Sequence, residues 1–277
     1  MAVHCTWVQN GGGTALCAHL FIFLAAIQEK VKISIVSYLN TLPFRWAIRN
    51  SALTGEISLS EDIPRVCAEK LLSGEADLAL VPVAVIPQMQ RHYIVSDYCI
   101  GADGIVDSVK LYHDLPVDQI KNVLLDYQSR TSVNLTRVLF RFWWKTEPEF
   151  TDALSGFEEQ VRDGTAAVVI GDRTFALNGR YRFETDLAQA WKDFTGLPFV
   201  FAAWVSSKPL APDFIGRFNA VLRNGIENIE QAVKDAPDYG SLPKKMLAEY
   251  LNNKINYVLD EKKLQAMRMF HDYLTRL

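Results

Sequence analysis

From Val31 onward, short apolar runs alternate with amphipathic stretches. Lys32–Ser37 (KISIVS) is a β-branched run that predicts a first strand, with Tyr38-Leu39-Asn40 as the turn behind it. A helix is expected from Leu42, because Phe44, Ala47 and Ile48 recur at helical spacing; Pro43 suits its first turn and Asn40 is a candidate N-cap. Asp62 is a candidate cap for a second helix that carries Ile63, Val66, Lys70 and Leu71 and stops at Gly74. Asp77–Val81 (DLALV) is a near-continuous apolar run, the signature of a strand buried on both faces of a parallel sheet.

The same grammar repeats. Val109–His113 (VKLYH) and Asn122–Asp126 (NVLLD) predict strands, and a polar turn from Tyr127 to Ser132 leads into a helix with Leu135, Val138, Leu139 and Phe142 on one face. Ala166–Ile170 (AAVVI) and Phe199–Val205 (FVFAAWV) are further buried strands. The rest is helical, with one stripe at Phe214, Phe218, Val221, Leu222 and Ile229 and another at Leu264, Met267, His271 and Leu274. Successive βα units with a helical C-terminus argue for an α/β protein. The strands at 109–113 and 199–205 are placed as crossovers between two lobes. Lobe one is then 31–108 plus 206–277 and lobe two 109–205, with a ligand expected in the cleft between them.

Residues 1–30 read differently. Met1–Gly13 is polar and glycine-rich, and Thr14–Ile27 is apolar but short for a membrane span. No Lys or Arg precedes Lys30, against a secretory signal. Three readings stay open: a secretory signal despite its missing basic flank, a docked or frayed N-terminal helix, or an extension upstream of a true start at Val31. The segment is expected to be dispensable.

Length and charge narrow the class. A chain of 277 residues with 49% hydrophobic and 22% charged residues has enough apolar material for two lobes. Its net charge of -3 argues against holding nucleic acid by its phosphates. Cys5, Cys17, Cys67 and Cys99 form no CxxC, and the five histidines show no paired spacing, so no metal site is expected. Buried free thiols in a reducing cytoplasm are the simpler reading. GxGxxG, GxxxxGK[ST] and GxSxG are all absent, so neither a nucleotide fingerprint nor a standard nucleophile is offered.

What remains is a set of polar turns at strand ends: Ser37–Asn40, Asp103–Ser108, Ser129–Ser132 and Gly171–Arg173. Any one of them reads as ordinary helix capping. Four in a two-lobed α/β chain point to a ligand site. Ser129, Thr131 and Ser132 at a helix start, with Arg130 beside them, suit a carboxylate ligand. Phe142-Trp143-Trp144 reads as core or lobe surface.

These segments carry a resemblance. SYLNTLPF (37–44), GEADLALVP (74–82), DGIVDSV (103–109), LDYQSRTSVNL (125–135), VIGD (169–172) and DLAQAWKDFTGLPFVFAAWV (186–205) resemble the chorismate dehydratase family of menaquinone biosynthesis. It runs from about Val31 to the C-terminus; Ile105 stands where proline is expected, and Arg173-Thr174 where small or apolar residues are commoner. The resemblance implies a two-lobed fold like that of type II periplasmic binding proteins, a cytoplasmic enzyme of the futalosine route, and a small dicarboxylate substrate without a cofactor. The implied reaction removes water from chorismate to give 3-[(1-carboxyvinyl)oxy]benzoate. Within it Asn40 would orient the enolpyruvyl side chain, whose own carboxylate takes the proton, and the Ser129–Ser132 turn would hold a carboxylate. Asp172 is the protein acid or base if that idea fails, and Ser37, Ser108 and Gly171 complete the expected substrate contacts. With the substrate as base, no enzyme group is expected to titrate in the rate between about pH 5 and 8. Two other readings stay open: a non-catalytic solute-binding protein of the same fold for a small carboxylate, and a sister naphthoate-forming enzyme, expected to open with a Cys-Pro motif instead of SYLN. Oligomeric state is not legible in the sequence.

Overall fold

The structure is a computed structural model that describes residues 29–239 and 242–277. The readings for residues 1–28, including Cys5, Cys17 and the apolar run 14–27, lie outside the described residues. Lobe one opens with β1 (Val31–Val36), α1 (Leu42–Arg49), β2 (Ile57–Asp62), α2 (Pro64–Ser73), β3 (Leu78–Pro82) and β4 (Tyr93–Ala102). Next come β5 (Val109–His113), β6 (Asn122–Leu125), α3 (Thr131–Val138), β7 (Glu149–Asp152), β8 (Thr165–Ile170), β9 (Phe183–Asp186) and α4 (Leu187–Thr195). The chain closes with β10 (Phe199–Ser206), α5 (Pro212–Glu227), α6 (Ile229–Asp235), α7 (Lys244–Asn253), β11 (Asn256–Val258) and α8 (Glu261–Thr275).

The strands form two sheets. One has the order β11-β4-β10-β3-β1-β2 and the other β7-β6-β8-β5-β9. In the first, β1 pairs parallel with β2 and β3, while β10 runs antiparallel between β3 and β4. The sheet is therefore mixed, not purely parallel. This also corrects the crossovers. The strand at 199–206 pairs wholly within the six-stranded sheet, and Val109–His113 wholly within the five-stranded one. The chain passes between lobes at 103–108 and returns at 196–198, before Phe199 rather than after Val205.

Alternation along β5 and β8 explains why the second lobe is stable. Leu111, Val168 and Ile170 face the large core shared with lobe one, while Tyr112, Ala167 and Val169 face a smaller cluster with Leu124, Phe157 and Leu177. Both faces are buried, hence the continuous apolar run. In lobe one Phe44 is fully buried, edge-on to Tyr257 at 5.2 Å. Burial of such a ring contributes about 2–3 kcal/mol. α1 lies close on α5 because Gly225 has no Cβ; one there would run into the Pro43 carbonyl.

One expected cap, Asp62, does not cap α2. The residue before α2 is Ile63, without a side-chain bond, and Asp62 instead receives hydrogen bonds from Ser34, Ser60 and Lys70 at 2.8 Å each. A full amine partner outcompetes a single backbone N–H. Gly74 does end α2, in the left-handed region at φ 78°. The stripe on α8 is rotated by a residue: Lys263, Ala266, Met267 and Phe270 are buried, while Leu264, His271 and Leu274 are half-buried. Phe142, Trp143 and Trp144 are partly buried against the main core. Cys67 and Cys99 are unpaired and buried. Among the described residues no helix is long and apolar enough to cross a membrane.

Candidate functional site

The C-terminal end of β1 runs into a single 3-10 turn, Leu39–Thr41, before α1 begins. Thr41 is fully buried, and its hydroxyl is directed to the carbonyls of Val36 (2.5 Å) and Tyr38 (2.9 Å). Arg45 donates to the Tyr38 carbonyl at 3.2 Å and pairs with Glu61 at 2.9 Å. The Tyr257 hydroxyl donates to the Asn40 carbonyl at 3.0 Å. The carbonyls of Val36, Tyr38 and Asn40 are thus all taken. Asn40 is not the N-cap: that position is Thr41, with no side-chain cap bond. The Asn40 amide instead has no protein partner among the described residues, and its Oδ1 is buried.

Across the cleft, Asp126 directly follows β6, and its buried carboxylate accepts from Gln128 N–H (2.9 Å), Ile170 N–H (3.0 Å) and the Arg173 guanidinium. It joins the end of β6, the following turn and the end of β8. Burial raises its pKa, and the Arg173 charge opposes that. Arg173, the unexpected residue after VIGD, also pairs with Glu158 at 2.7 Å. The next turn enters α3 with the Ser129 hydroxyl accepting from Ser132 N–H at 3.0 Å. The Thr131 hydroxyl donates to Phe201 O (3.0 Å) and accepts from Ala84 N–H (3.3 Å). Of the three expected hydroxyls, only that of Ser132 keeps no side-chain bond within the protein among the described residues.

These turns face one another across a narrow cleft between the lobes. Asn40, Ser108, Ser129, Thr131, Ser132 and Gly171 line it, together with an apolar wall that includes Val36, Pro82, Ile100, Val106 and Phe201. Three expected residues do not. Ser37 is half-buried outside the lining, and Arg130 is exposed on a separate surface groove with Arg65 and Arg137. The helix start turns Arg130 outward as it turns Thr131 and Ser132 inward. Asp172 also lies outside the lining; it reaches across to the other lobe, where its carboxylate accepts from Leu39 N–H at 3.1 and 3.3 Å.

Comparison with known proteins decides the family. The profile of a family described as Menaquinone biosynthesis matches residues 31–276. The chain belongs to this family. It is 28% identical over 234 residues to a chorismate dehydratase of Thermus thermophilus, covering 76% of this chain and 84% of that one. Protein AF1704 of Archaeoglobus fulgidus is a structural neighbour at a TM-score of 0.73 and 15% identity, covering 89% of this chain and 97% of its own. The periplasmic aliphatic sulphonate binding protein SsuA of Escherichia coli follows at 0.59 and 14%, covering 90% and 92%. The fold of this menaquinone-biosynthesis chain is therefore that of the two-lobed periplasmic binding proteins.

Tyr38 of the candidate site was not among the contacts expected from the sequence. Tyr38 lines the cleft, and its hydroxyl donates to Gln128 Oε1 of lobe two. Its ring lies against Gly171, where a Cβ would come within 3.0 Å of it; Gly171 also has φ 71°. Burial raises the Tyr38 phenol, so it stays a donor. Burial likewise pushes the Asp172 carboxyl up to about 6, against the pull of the Leu39 N–H and the Arg45 charge. SYLN and YQS are adjacent motifs in space, a relation that no spacing in the chain announces.

Proposed function

We propose that this chain is a cytoplasmic carbon–oxygen lyase that dehydrates chorismate to 3-[(1-carboxyvinyl)oxy]benzoate, on the futalosine route to menaquinone. The observation that carries the reading is the Asn40 amide, which lines the cleft with its Oδ1 buried and unpartnered while its own carbonyl is held by Tyr257. A buried polar group left without a protein partner is unfavourable by about 1–3 kcal/mol, so a ligand is its natural partner. Membership in the family and the likeness to a chorismate dehydratase support the substrate.

The reaction loses the C3 proton and the C4 hydroxyl from one face of the ring and is redox-neutral. Aromatisation supplies the driving force. The protein's task is then to hold a dicarboxylate in one conformation. The Ser132 hydroxyl, which has no bond within the protein among the described residues, receives the ring carboxylate at the start of α3, with the helix dipole behind it. Asn40 holds the enolpyruvyl arm so that its carboxylate reaches the C3 proton. Ser129 and Thr131, engaged within the protein, set the shape of the turn.

Purified protein incubated with chorismate should release the aromatic product, visible in the ultraviolet and by mass. Asn40→Ala should lower kcat by about tenfold or more, from one lost orienting bond and the misalignment that follows. Chorismate bound but unconverted by the wild type would point to a solute-binding protein and sink the proposal.

A further inference from the structure

Ser108 lies in the crossover from β4 to β5, where the backbone is firmly held. Asp107 adopts a left-handed conformation at φ 64°. The Asp186 carboxylate accepts from the N–H groups of Val106 (3.0 Å) and Asp107 (2.8 Å), and Lys254 pairs with Asp107 at 3.2 Å. Ser108 is 2% exposed, and its carbonyl accepts from Gly171 N–H at 2.8 Å. Among the described residues its hydroxyl has one partner, the Tyr250 hydroxyl on α7 at 2.8 Å. Tyr250 is 5% exposed, with its ring edge-on to Phe175 at 5.1 Å, and its hydroxyl has no other partner among the described residues.

The direction of this bond follows from counting. Each hydroxyl has one hydrogen to give. If Ser108 donated to Tyr250, the phenolic hydrogen would be buried without an acceptor, which is unfavourable. If Tyr250 donates, both groups are satisfied, provided the Ser108 hydrogen finds an acceptor in the cleft that Ser108 lines. Burial holds the Tyr250 phenol well above its ordinary value, so it remains a donor at working pH.

We infer that Tyr250 is a positioning residue that fixes the Ser108 hydroxyl as a hydrogen donor aimed into the cleft, toward the oxygen of a leaving hydroxyl. This rests on the proposed dehydration. As the C4–O bond breaks, its electron pair goes to the departing oxygen, which Ser108 hydrogen-bonds. The substrate carboxyl that took the C3 proton then returns it to that oxygen, so one water leaves and Ser108 and Tyr250 end unchanged. The donor is in place where charge develops, the arrangement that favours the transition state over the ground state.

Steady-state kinetics on chorismate for wild type, Tyr250→Phe, Ser108→Ala and the double variant test this, with unfolding midpoints and product inhibition constants measured alongside. Tyr250→Phe should lower kcat by roughly tenfold with little change in KM, and the double variant should be no slower than Ser108→Ala. Inhibition by the aromatic product, which lacks the C4 oxygen, should be unchanged in every variant. An unchanged kcat, losses that multiply in the double variant, or weakened product binding in Tyr250→Phe would overturn the inference. A Tyr250→Phe chain that fails to fold would also overturn it, by giving the hydroxyl a role in stability. A wild type inactive on chorismate removes the reaction itself and this inference with it, whereas an active wild type beside an unaffected variant removes the inference alone.

Discussion

At the scale of single residues, Asp172 separates a group that titrates from a group that takes the proton. Its ordinary value is 3.8, and burial pushes it up to about 6. Between about 4 and 6 the folded chain keeps a proton that the unfolded chain has released, so this group alone lowers stability as pH rises through that window. The contact with Leu39 N–H runs the other way, since an ionised carboxylate is the stronger acceptor. The bond between lobes is strongest above pH 6, and kcat/KM should rise along a limb centred near 6. No limb is expected from the sequence, where the substrate carboxylate is the base; burial of Asp172 adds one without making it the base. Asp172→Asn should flatten the limb and keep turnover within about tenfold of the wild-type plateau, because the amide oxygen still accepts. Complete loss of turnover in a folded Asp172→Asn would make Asp172 the base. The sequence marked Asp172 as polar and near a strand end, but its partner 133 residues away is legible only in the fold.

At the scale of elements, the start of α3 shows how far a motif can be read. SRTS announces a helix start with hydroxyls, and the structure divides their labour. Thr131 ties α3 to β10 and to the turn after β3 through Phe201 O and Ala84 N–H, whereas Ser132 makes no such tie. Thr131→Val should therefore destabilise the fold by about 1–3 kcal/mol, lowering the unfolding midpoint by several degrees. Ser132→Ala should leave the midpoint nearly unchanged and raise KM for chorismate. Calorimetry beside kinetics checks both, and a KM effect confined to Thr131→Val would reverse the assignment. Elsewhere the doubly buried strands β1, β3, β5, β8 and β10 were legible as apolar runs. The longest strand, β4, was not, because Ser96 and Asp97 interrupt it; it is held by β10 on one side and β11 on the other. The short strands β7 (EFTD) and β9 (FETD) are polar edges of their sheet, defined by pairing with β6 and β5 rather than by composition.

At the scale of the whole molecule, two lobes joined at 103–108 and 196–198 need contacts across the cleft to fix their separation. The segment after β1 supplies two of them: Tyr38 donates to Gln128, and Leu39 N–H donates to Asp172. Gln128 is itself held, by Tyr127 through its side chain (2.8 Å) and by Asp126 through its N–H (2.9 Å), so the bridge is anchored at both ends. Tyr38→Phe keeps the ring against Gly171 and removes only the hydroxyl. The lost bond is worth about 1 kcal/mol, so KM should rise several-fold while kcat changes less, since the reacting groups keep their supports once the substrate has closed the lobes. Small-angle scattering should then show a larger radius of gyration for the ligand-free variant than for wild type, and equal radii once the aromatic product is bound. Equal radii without ligand, together with an unchanged KM, would mean that the Asp172 contact and the crossovers alone hold the lobes. The bridge would then be a consequence of closure and not a determinant of it.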